Sequence, residues 1–546
     1  MKKLLSTKKL LSTLLVVCLL FIVACAPAAG PAAPTPPQEP GVPQPPPQLP
    51  GAGPLEPTVP EEGVRLAEHI DIISNNNTIA VINPFLPAGH TGPTQWMYTL
   101  IYDKLVVNLG DGVYGPMLAR DWYTDDNQTF RFYLREDVYF HNGDHFTAED
   151  VAGTIRVARE HPGTQGHQRW AFVETYNVID TYTIELVLDR VNSDFFFDIS
   201  VPTAGIINEA AFWADSEEGA WIGTGPFYIT GFATNDHVNL SRNENYWGEM
   251  PPTPRLTWRF VPEPSARLVM LQNRESDVSF GTTPEDLAIL QADPDFTVIE
   301  ALLGTPTVVG FNMEDPLMAD RNFRRAVFHA ICTVEVALVA AGDWARPVPD
   351  GNVWGAGTPF RINDIPRLPL DRDLAREYLE ASPWNGETIE ITSSIDTNIR
   401  AAEMIQQQLA LIGLPTTINA MDQPSFNEFM RFGNNQSQIH VFAASFTLSA
   451  HQSVQNVYIP GSGGNRTQFN DPYVTELLEQ ARATSDADEQ RDLFHRIQWR
   501  VAEDPPHSIV FWRLNGIAMI NGVGGLVLPY DSLVYNLRGI YRVLED

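Results

Sequence analysis

The stretch TFRFYLREDVYFHNGDHFTAEDV, residues 129–151, contains in succession the signals of a strand, a tight turn and a helix. Its first twelve residues mix aromatic and β-branched side chains with polar ones, which favours a strand. The pair Asn142-Gly143 is a strong short signal for a hairpin turn. Thr147, with Asp150 three residues later, forms a capping-box pattern, so a helix is expected to begin there. The stretch therefore predicts scaffold in a protein that mixes strands and helices.

Two histidines in the same stretch, His141 and His145, raise the alternative of a metal site. A helix would place residues four apart on one face, but the turn pair Asn142-Gly143 lies between them. The two histidines are therefore expected in a turn, without the spacing of a metal-binding pair, and the other histidines of the chain are scattered. We predict no metal site and no cofactor.

Further strands and helices are expected along the rest of the chain. Runs of β-branched and aromatic residues predict strands over 255–262, 388–394 and 508–513. Helix signals are clearer, because one helix starts at the cap Asp320 and another ends at Gly413. A third helix is expected to start at Ser485 and to stop before Pro505. This mixture predicts the α/β class.

The length and the charge of the chain restrict its class. At 546 residues the chain is too long for one ordinary hydrophobic core, so two or three domains are expected. The formal net charge is -31, from 67 acidic and 36 basic residues. A surface this acidic repels nucleic acid and anionic lipid, so neither is expected as the main partner.

The N-terminal part of the chain carries targeting signals rather than a core. Four lysines precede a short apolar run in residues 1–24, which is the pattern of a secretory signal peptide. The run ends in Ile-Val-Ala-Cys at 22–25, which resembles the bacterial lipobox, and this resemblance implies a lipid on Cys25. The alternative is an uncleaved membrane anchor. Residues 26–60 hold 14 of the 43 prolines, so 25–64 is predicted to be a disordered tether.

Motifs of the common catalytic classes are missing from the sequence. It contains no GxxxxGK[ST], HExxH or GxSxG motif, and the glycine-rich PGSGGN at 460–465 lacks the lysine of a phosphate-binding loop. We therefore predict a binding protein and not an enzyme. A surface-anchored hydrolase or a peptide chaperone is the alternative from a different class.

The stretch from residue 100 to 151 closely resembles the signature block of the family 5 extracellular solute-binding proteins, which are the oligopeptide, dipeptide and nickel receptors of ABC importers. The matching positions are Tyr102, Asp103, Pro116, Leu118, Ala119, Trp122, Leu134, Arg135, 140–143 and 148–151. Further blocks follow in the family's order at 223–229, 240–251, 268–281, 308–331 and 469–506. The resemblance covers residues 65–546.

The resemblance implies an α/β, type II periplasmic-binding-protein fold of the large three-domain variety, with two lobes and a hinge. The implied division is a discontinuous lobe I over 65–98, 223–309 and 508–546, an additional domain of lobe I over 99–222, and lobe II over 310–507. Glycine and proline near Val309-Gly310 and Pro506–Ser508 mark the expected chain crossings. Two strands that join two lobes make a hinge, on which the protein closes over a solute.

By the same resemblance, the expected function is that of a substrate-binding lipoprotein of an ABC importer. It would capture oligo- or dipeptides in the cleft between the lobes and deliver them to the membrane permease. The implied partners are the peptide or another small solute and the transmembrane permease subunits, which work with a separate ATPase. The protein is expected as a monomer in the cell envelope, held by its N-terminal lipid on the outer, periplasmic or extracellular face of the cytoplasmic membrane.

The expected ligand-binding residues depart from the family's pattern. Peptide-binding relatives often carry an aromatic residue followed by an aspartate that pairs with the peptide ammonium, and the register places Phe446 and Ser449 at those positions. His440 replaces the usual acid before that strand. We expect Phe446 as a wall and Ser449 as a polar contact, with ordinary strand-end packing as the alternative. Asp422 and Glu428 are the nearby acids that could replace the missing carboxylate.

Two further side chains complete the expected ligand site. Arg431 is expected to bind a ligand carboxylate with its forked donors, and a solvated surface arginine is the alternative. Trp354 is expected to form an aromatic wall, and a buried core tryptophan is the alternative. An oligosaccharide would stack on the tryptophans of the chain without a buried acid, and nickel is the third ligand class.

Overall fold

The computed structural model describes most of the chain from residue 63 onwards. The described residues are 60, 63–75, 79, 81–86, 92–110, 113–302, 305–348, 350–355, 358–431, 433, 435–446, 449–526 and 536–544. The predicted signal peptide (1–24), the predicted lipid site Cys25 and nearly all of the predicted tether (25–64) lie outside these residues and stay predictions.

Strands and helices alternate along the described residues, which confirms the α/β class. The strands are β1 (His69–Ser74), β2 (Val106–Gly110), β3 (Val113–Pro116), β4 (Ala119–Tyr123), β5 (Thr129–Leu134), β6 (Val173–Asp180), β7 (Thr183–Leu188), β8 (Phe227–Ala233), β9 (His237–Arg242), β10 (Arg255–Phe260), β11 (Val278–Phe280), β12 (Phe296–Leu302), β13 (Thr307–Phe311), β14 (Ala345–Pro347), β15 (Ile389–Ser394), β16 (Thr416–Met421), β17 (Ile439–Ala443), β18 (His507–Ile520), β19 (Val523–Gly524) and β20 (Tyr541–Arg542). The α-helices are α1 (Gly92–Ile101), α2 (Ala148–Glu160), α3 (Gln165–Trp170), α4 (Phe195–Asp198), α5 (Glu209–Ala214), α6 (Pro264–Gln272), α7 (Pro284–Gln291), α8 (Arg321–Ala330), α9 (Thr333–Ala341), α10 (Arg372–Ala381), α11 (Asp396–Ala410), α12 (Gln423–Phe429), α13 (Ala450–Tyr458), α14 (Pro472–Ala483) and α15 (Ala487–Glu503).

The strand and the turn at 129–151 form largely as their sequence predicts. The strand β5 is shorter than expected, because the chain bends where the charged residues Glu136 and Asp137 follow it. The predicted turn is confirmed, since Gly143 adopts a φ of +88° and the Phe140 N–H donates to a backbone oxygen four residues later at 2.8 Å.

The helix α2 begins at the predicted capping box. The Asp150 carboxylate accepts from the Thr147 backbone N–H at 2.8 Å, which confirms the pairing. Both histidines of the stretch lie against backbone carbonyl oxygens, at 3.0 Å for His141 Nε2 and 2.8 Å for His145 Nε2. These contacts fix the loop that precedes α2.

The ends of three other predicted helices are found at or near their signals. Asp320 caps α8 and accepts from the Phe323 N–H at 2.9 Å, as predicted. Gly413 follows the end of α11 with a φ of +85°. The start predicted at Ser485 was wrong by one residue, because the carboxylate of Asp486 accepts from two helix N–H groups and takes the cap position.

One large sheet runs through the molecule, and β18 lies at its middle. Its order is β16-β15-β17-β13-β18-β11-β1-β10-β9-β8, with β12 and β14 also pairing with β18. The first half of β18 pairs with β13 and β14, and its second half pairs with β11 and β12. A separate four-stranded sheet has the order β4-β5-β7-β6.

The buried side chains form separate cores around the first half and the second half of β18. One core cluster draws on residues within 70–280 and 517–540, and it includes the four-stranded sheet. Two other clusters draw on residues within 308–512. A small fourth cluster around Trp344 lies where the two parts join. The finer division, with a separate domain over 99–222, stays a prediction.

The chain crosses between the two parts within β18 and between β12 and β13. We call residues 63–302 with 514–544 the first lobe and residues 307–511 the second lobe, and β14 of the second lobe also pairs with Trp512 and Arg513 at the crossing. The crossings expected near 309–310 and 506–508 coincide with β13 and with the start of β18, and the expected domain division stays a prediction.

Membrane-span criteria were met by no single helix within the described residues. The pair formed by α8 and the segment Thr333–Trp344 meets them by length and composition only when both are taken together across a bend of 64°.

Candidate functional site

The carboxyl ends of the parallel strands in both lobes face the crossing. In the first lobe, β1, β10 and β11 are parallel, and Phe280 at the end of β11 pairs with Ile517 of β18. In the second lobe, β15, β16 and β17 are parallel, and β17 ends beside Thr307, which also pairs with Phe511 of β18. Residues 512–516 therefore span the space between the two edges. Open α/β sheets bind ligands outside the carboxyl ends of their strands, so this interlobe space is the candidate site.

A strained residue lies at the second-lobe edge of the interlobe space. Ile395 follows the end of β15 and adopts a φ of +57°, a left-handed conformation that is costly for a β-branched side chain. It precedes α11 and makes no side-chain cap hydrogen bond. The first turn of α11 is held at the crossing by the Thr307 hydroxyl, which donates to Asn398 Oδ1 at 3.0 Å. Strained backbone of this kind clusters at ligand sites, which favours the assignment of this edge.

The two lobes meet at Asp194 and Ser449. Ser449 is the N-cap of α13, and its hydroxyl accepts from the Gln452 backbone N–H at 3.0 Å. The same hydroxyl donates to Asp194 Oδ2, which comes from the first lobe and lies 2.7 Å away. The positive end of α13 favours the negative charge at this position. The structure thus brings Ser449, a predicted site residue, together with a carboxylate of the opposite lobe.

Two neighbouring contacts extend this meeting point. His451 Nδ1 lies 3.7 Å from Asp194 Oδ1, and the imidazole is buried. The Ser193 backbone N–H donates to the backbone oxygen of Arg482, near the end of α14, at 3.2 Å. We call Ser193, Asp194, Ser449 and His451, with the end of α14, the interlobe contact. The sequence did not reveal it, since Asp194 and Ser449 are 255 positions apart and neither carries a local signal for the other.

A second carboxylate, Asp198, lies one helical turn after Asp194. Its Oδ1 is 3.0 Å from Arg169 Nη1. Burial raises the pKa of Asp198 to about 7 against the opposing effect of Arg169, and the charge of Asp194 raises it further. Burial and the same two carboxylates also raise the pKa of Tyr114. Arg169 and Arg482 oppose the charge of this pair, and Asp194 is the carboxylate of the first lobe that meets Ser449.

The raised pKa of Asp198 predicts a pH dependence of stability. The aspartate of the unfolded chain titrates near 3.8, so between about pH 4 and pH 7 the folded protein keeps a proton that the unfolded chain has lost. The free energy of unfolding should fall by roughly 2 kcal/mol from pH 5 to pH 8 through this residue. Urea unfolding across that range should show a flatter slope for Asp198→Asn. The exposed Asp189→Asn should keep the wild-type slope, and an unchanged slope in Asp198→Asn would refute the assignment.

Phe446 and Trp354, the predicted ligand walls, lie in one core cluster of the second lobe. Their side chains are 1% and 0% exposed. A Cβ on Gly355 would lie 2.5 Å from Phe446 Cβ, so glycine allows the segment after Trp354 to pack against Phe446. The Trp354 indole meets Phe494 edge-on, with ring centres 5.8 Å apart. Core packing accounts for both side chains, and their role as ligand walls stays a prediction.

Arg431 and the two acids suggested by the sequence lie around α12. The Arg431 side chain is 67% exposed and lies 3.8 Å from Glu428. Asp422 is the N-cap of α12 and accepts from a backbone N–H of its first turn at 2.9 Å. The acid that meets Ser449 is Asp194 instead. A role of Arg431 in binding a ligand carboxylate stays a prediction.

Metal-binding geometry is not evident in the described part of the chain. No group of three or more histidine, cysteine, aspartate or glutamate side chains there is arranged to hold a metal ion.

The chain is similar to bacterial proteins that bind solutes outside the cell. The family model described as Bacterial extracellular solute-binding proteins, family 5 Middle, matches residues 113–465. The chain is 24% identical to the di/tripeptide-binding protein 2 of Pseudomonas aeruginosa over 438 residues, which are 72% of this chain and 81% of that protein. It is 23% identical to the nickel-binding periplasmic protein of Escherichia coli over 459 residues, which are 78% and 86% of the two chains. The ABC transporter-associated periplasmic binding protein DppA of Helicobacter pylori, solved in complex with the peptide STSA, superposes with a TM-score of 0.73 at 19% identity, covering 88% of this chain and 99% of that chain.

Proposed function

We propose, because this chain belongs to the family 5 bacterial extracellular solute-binding proteins, that it captures peptides between its two lobes and delivers them to an ABC importer. Its fold is the type II periplasmic-binding-protein fold predicted from the sequence, as the superposition on the Helicobacter pylori protein confirms. Members of this family are solute-binding proteins. The space between the two lobes, which β12, β13 and β18 join, can hold such a solute.

Two observations carry the proposal, namely the contact between the two lobes at Asp194 and Ser449 and the interlobe space at the carboxyl ends of the parallel strands. Asp194 reaches from the first lobe to Ser449 at 2.7 Å, while residues 512–516 span the space between the two edges. Bonds between the lobes favour the closed form of a receptor that closes over a solute. The interlobe contact supplies such bonds.

The chemistry of the interlobe contact supports a peptide as the solute. The relative in Pseudomonas aeruginosa is named for di- and tripeptides, and the Helicobacter pylori protein holds a peptide. Every linear peptide with an unmodified N-terminus carries an ammonium group. The carboxylate of Asp194, 2.7 Å from the Ser449 hydroxyl, is an acid at the position where the sequence lacks one, and it would attract such a group.

The remaining expectations are part of the same proposal. The protein works as a monomer without catalytic activity, and a lipid on Cys25 holds it on the outer face of the cytoplasmic membrane. Its protein partners are the transmembrane subunits of the permease, and a separate ATPase drives the transport.

A thermal-shift screen of the purified protein tests the peptide proposal. Peptides of two to five residues should raise the melting temperature, because a ligand of the folded state stabilises it by about 2.7 kcal/mol at 100 times Kd. Oligosaccharides and nickel(II) form the comparison arms. A shift with either of these and none with any peptide would reject peptides as the solute. Cleaved peptide in the same wells would reject the absence of catalysis.

A further inference from the structure

One arginine lies in the β18 segment that spans the interlobe space. Arg513 lies two residues beyond Phe511, which marks the second-lobe edge, and it pairs with Ala345 of β14. Its side chain is half-buried. Among the residues that the structure describes, the guanidinium makes no hydrogen bond, ion pair or ring contact. A cation at the floor of the interlobe space therefore has no partner within the described chain.

Strand geometry gives the direction of the Arg513 side chain. Opposed residues of an antiparallel pair share a face of the sheet, and so do alternate residues of one strand. Thr307 is opposed to Phe511, so the side chains of Thr307, Phe511 and Arg513 share one face. Thr307 bonds to Asn398 in the first turn of α11. Since two residues of a strand cover roughly 7 Å, Arg513 lies just outside the second-lobe edge, on the side where α11 begins.

Glu300 of β12 is the acidic residue of the strands at the crossing, and its side chain lies on the face of the sheet opposite to that of Arg513. Glu300 is paired with Gly516, which is an odd number of residues from Arg513 along β18. The Glu300 carboxylate is already 2.8 Å from Arg346 Nη2. Burial alone lowers the pKa of Arg513, without an opposing effect from an acidic group of the described residues. Desolvating a cation without an acid is unfavourable, and an incoming carboxylate would offset that cost.

We propose that Arg513 binds a carboxylate group of the solute at the floor of the interlobe space. Two N–H groups of the guanidinium fork match the two oxygens of a carboxylate. The proposal rests on the proposed capture of a solute between the lobes and adds the chemical group that is recognised there. In a peptide, that group is the C-terminal carboxylate or the side chain of an acidic residue.

Calorimetry with three defined peptides tests this assignment on the full purified chain. Trialanine should bind about 10- to 100-fold more tightly than trialanine amide, because the amide lacks the charge that Arg513 recognises. Arg513→Gln should weaken trialanine by the same factor and leave the affinity of the amide unchanged, while Arg513→Lys should keep part of the difference. Ala-Asp-Ala amide binding as tightly as trialanine would assign the site to a side-chain carboxylate. The exposed Arg255→Gln is the matched control with wild-type affinities. An equal loss for trialanine and its amide in Arg513→Gln would overturn the proposal.

A second measurement needs neither a peptide nor a variant. Phenylglyoxal modifies accessible arginines, and mass spectrometry follows the reaction at Arg513 and Arg255 in the wild-type protein. Acetate should slow the modification of Arg513 several-fold relative to chloride at equal ionic strength, without protecting Arg255. Protection by acetate with no binding of any peptide would uphold the carboxylate site and reject the peptide function. The same rate at Arg513 in acetate and in chloride would overturn the carboxylate site itself.

Discussion

Replacing Asp103 with alanine is expected to lower the free energy of unfolding by about 3 kcal/mol or more. The Asp103 carboxylate is fully buried and lies 2.8 Å from Arg538 Nη1. It also accepts from Trp247 Nε1 at 2.8 Å and from the Thr224 hydroxyl at 3.2 Å. The Tyr246 hydroxyl donates to it as well, at 3.3 Å. Its removal takes the acceptor from these three buried or half-buried donors and leaves the Arg538 cation without its acid. The loss should therefore exceed that of a surface ion pair.

Urea unfolding of Asp103→Ala measures this loss. The exposed Asp121→Ala lies in the same signature block and should change the free energy of unfolding by less than about 1 kcal/mol. Adding Arg538→Met to Asp103→Ala should restore part of the stability, because no unpaired charge then remains in the partly buried position. Equal stabilities of Asp103→Ala and Asp121→Ala would show that the ion pair does not hold the C-terminal segment in place.

Replacing Asp194 with alanine should reduce the population of the closed form and thereby weaken solute binding. The hydrogen bond from Ser449 to Asp194 crosses between the lobes at 2.7 Å. A hydrogen bond to a charged group contributes about 1.5–3 kcal/mol, which corresponds to roughly a 10- to 100-fold change in the ratio of closed to open protein. When the protein without solute is mostly open, the apparent Kd rises by the same factor.

Calorimetry with the best peptide from the thermal-shift screen measures the apparent Kd of Asp194→Ala. Ser449→Ala should also weaken binding, and it should cost about 1 kcal/mol of stability because α13 loses its N-cap. Asp189→Ala is the matched control, since Asp189 is exposed and its ion pair, with Arg190 at 3.9 Å, stays within the first lobe. An apparent Kd of Asp194→Ala equal to that of Asp189→Ala would contradict the role of the interlobe contact.

Local structure could be predicted from the sequence where it depends on neighbouring residues. The capping box of Thr147 and Asp150 and the cap Asp320 each place a side chain within three residues of the backbone that it stabilises. The crossing between the lobes could not be located in this way. Both lobes share β18, a continuous strand of 14 residues, and the pair Asn515-Gly516 at the crossing lies inside that strand although it usually signals a turn.

The candidate site depends on contacts between distant residues, and the sequence revealed little of it. The resemblance placed Ser449 at a ligand position, but its partner Asp194 lies 255 positions away. Trp354 and Phe446 have the residue types of a ligand wall and of a core alike, and pairing in three dimensions was needed to show the core packing. Arg513 ends an apolar run that predicts an ordinary strand. The fold is needed to show that no acidic side chain of the described residues opposes the effect of burial on this arginine.

The most direct test of lobe closure over a solute is small-angle X-ray scattering from the purified protein with and without saturating peptide. The radius of gyration should fall when the peptide binds, because the two lobes close on the crossing strands. Asp194→Ala should start from a radius at least as large as that of the wild-type protein and reach the same compact form at saturation. A radius of gyration that stays constant while calorimetry shows the peptide to be bound would contradict the closure of the lobes.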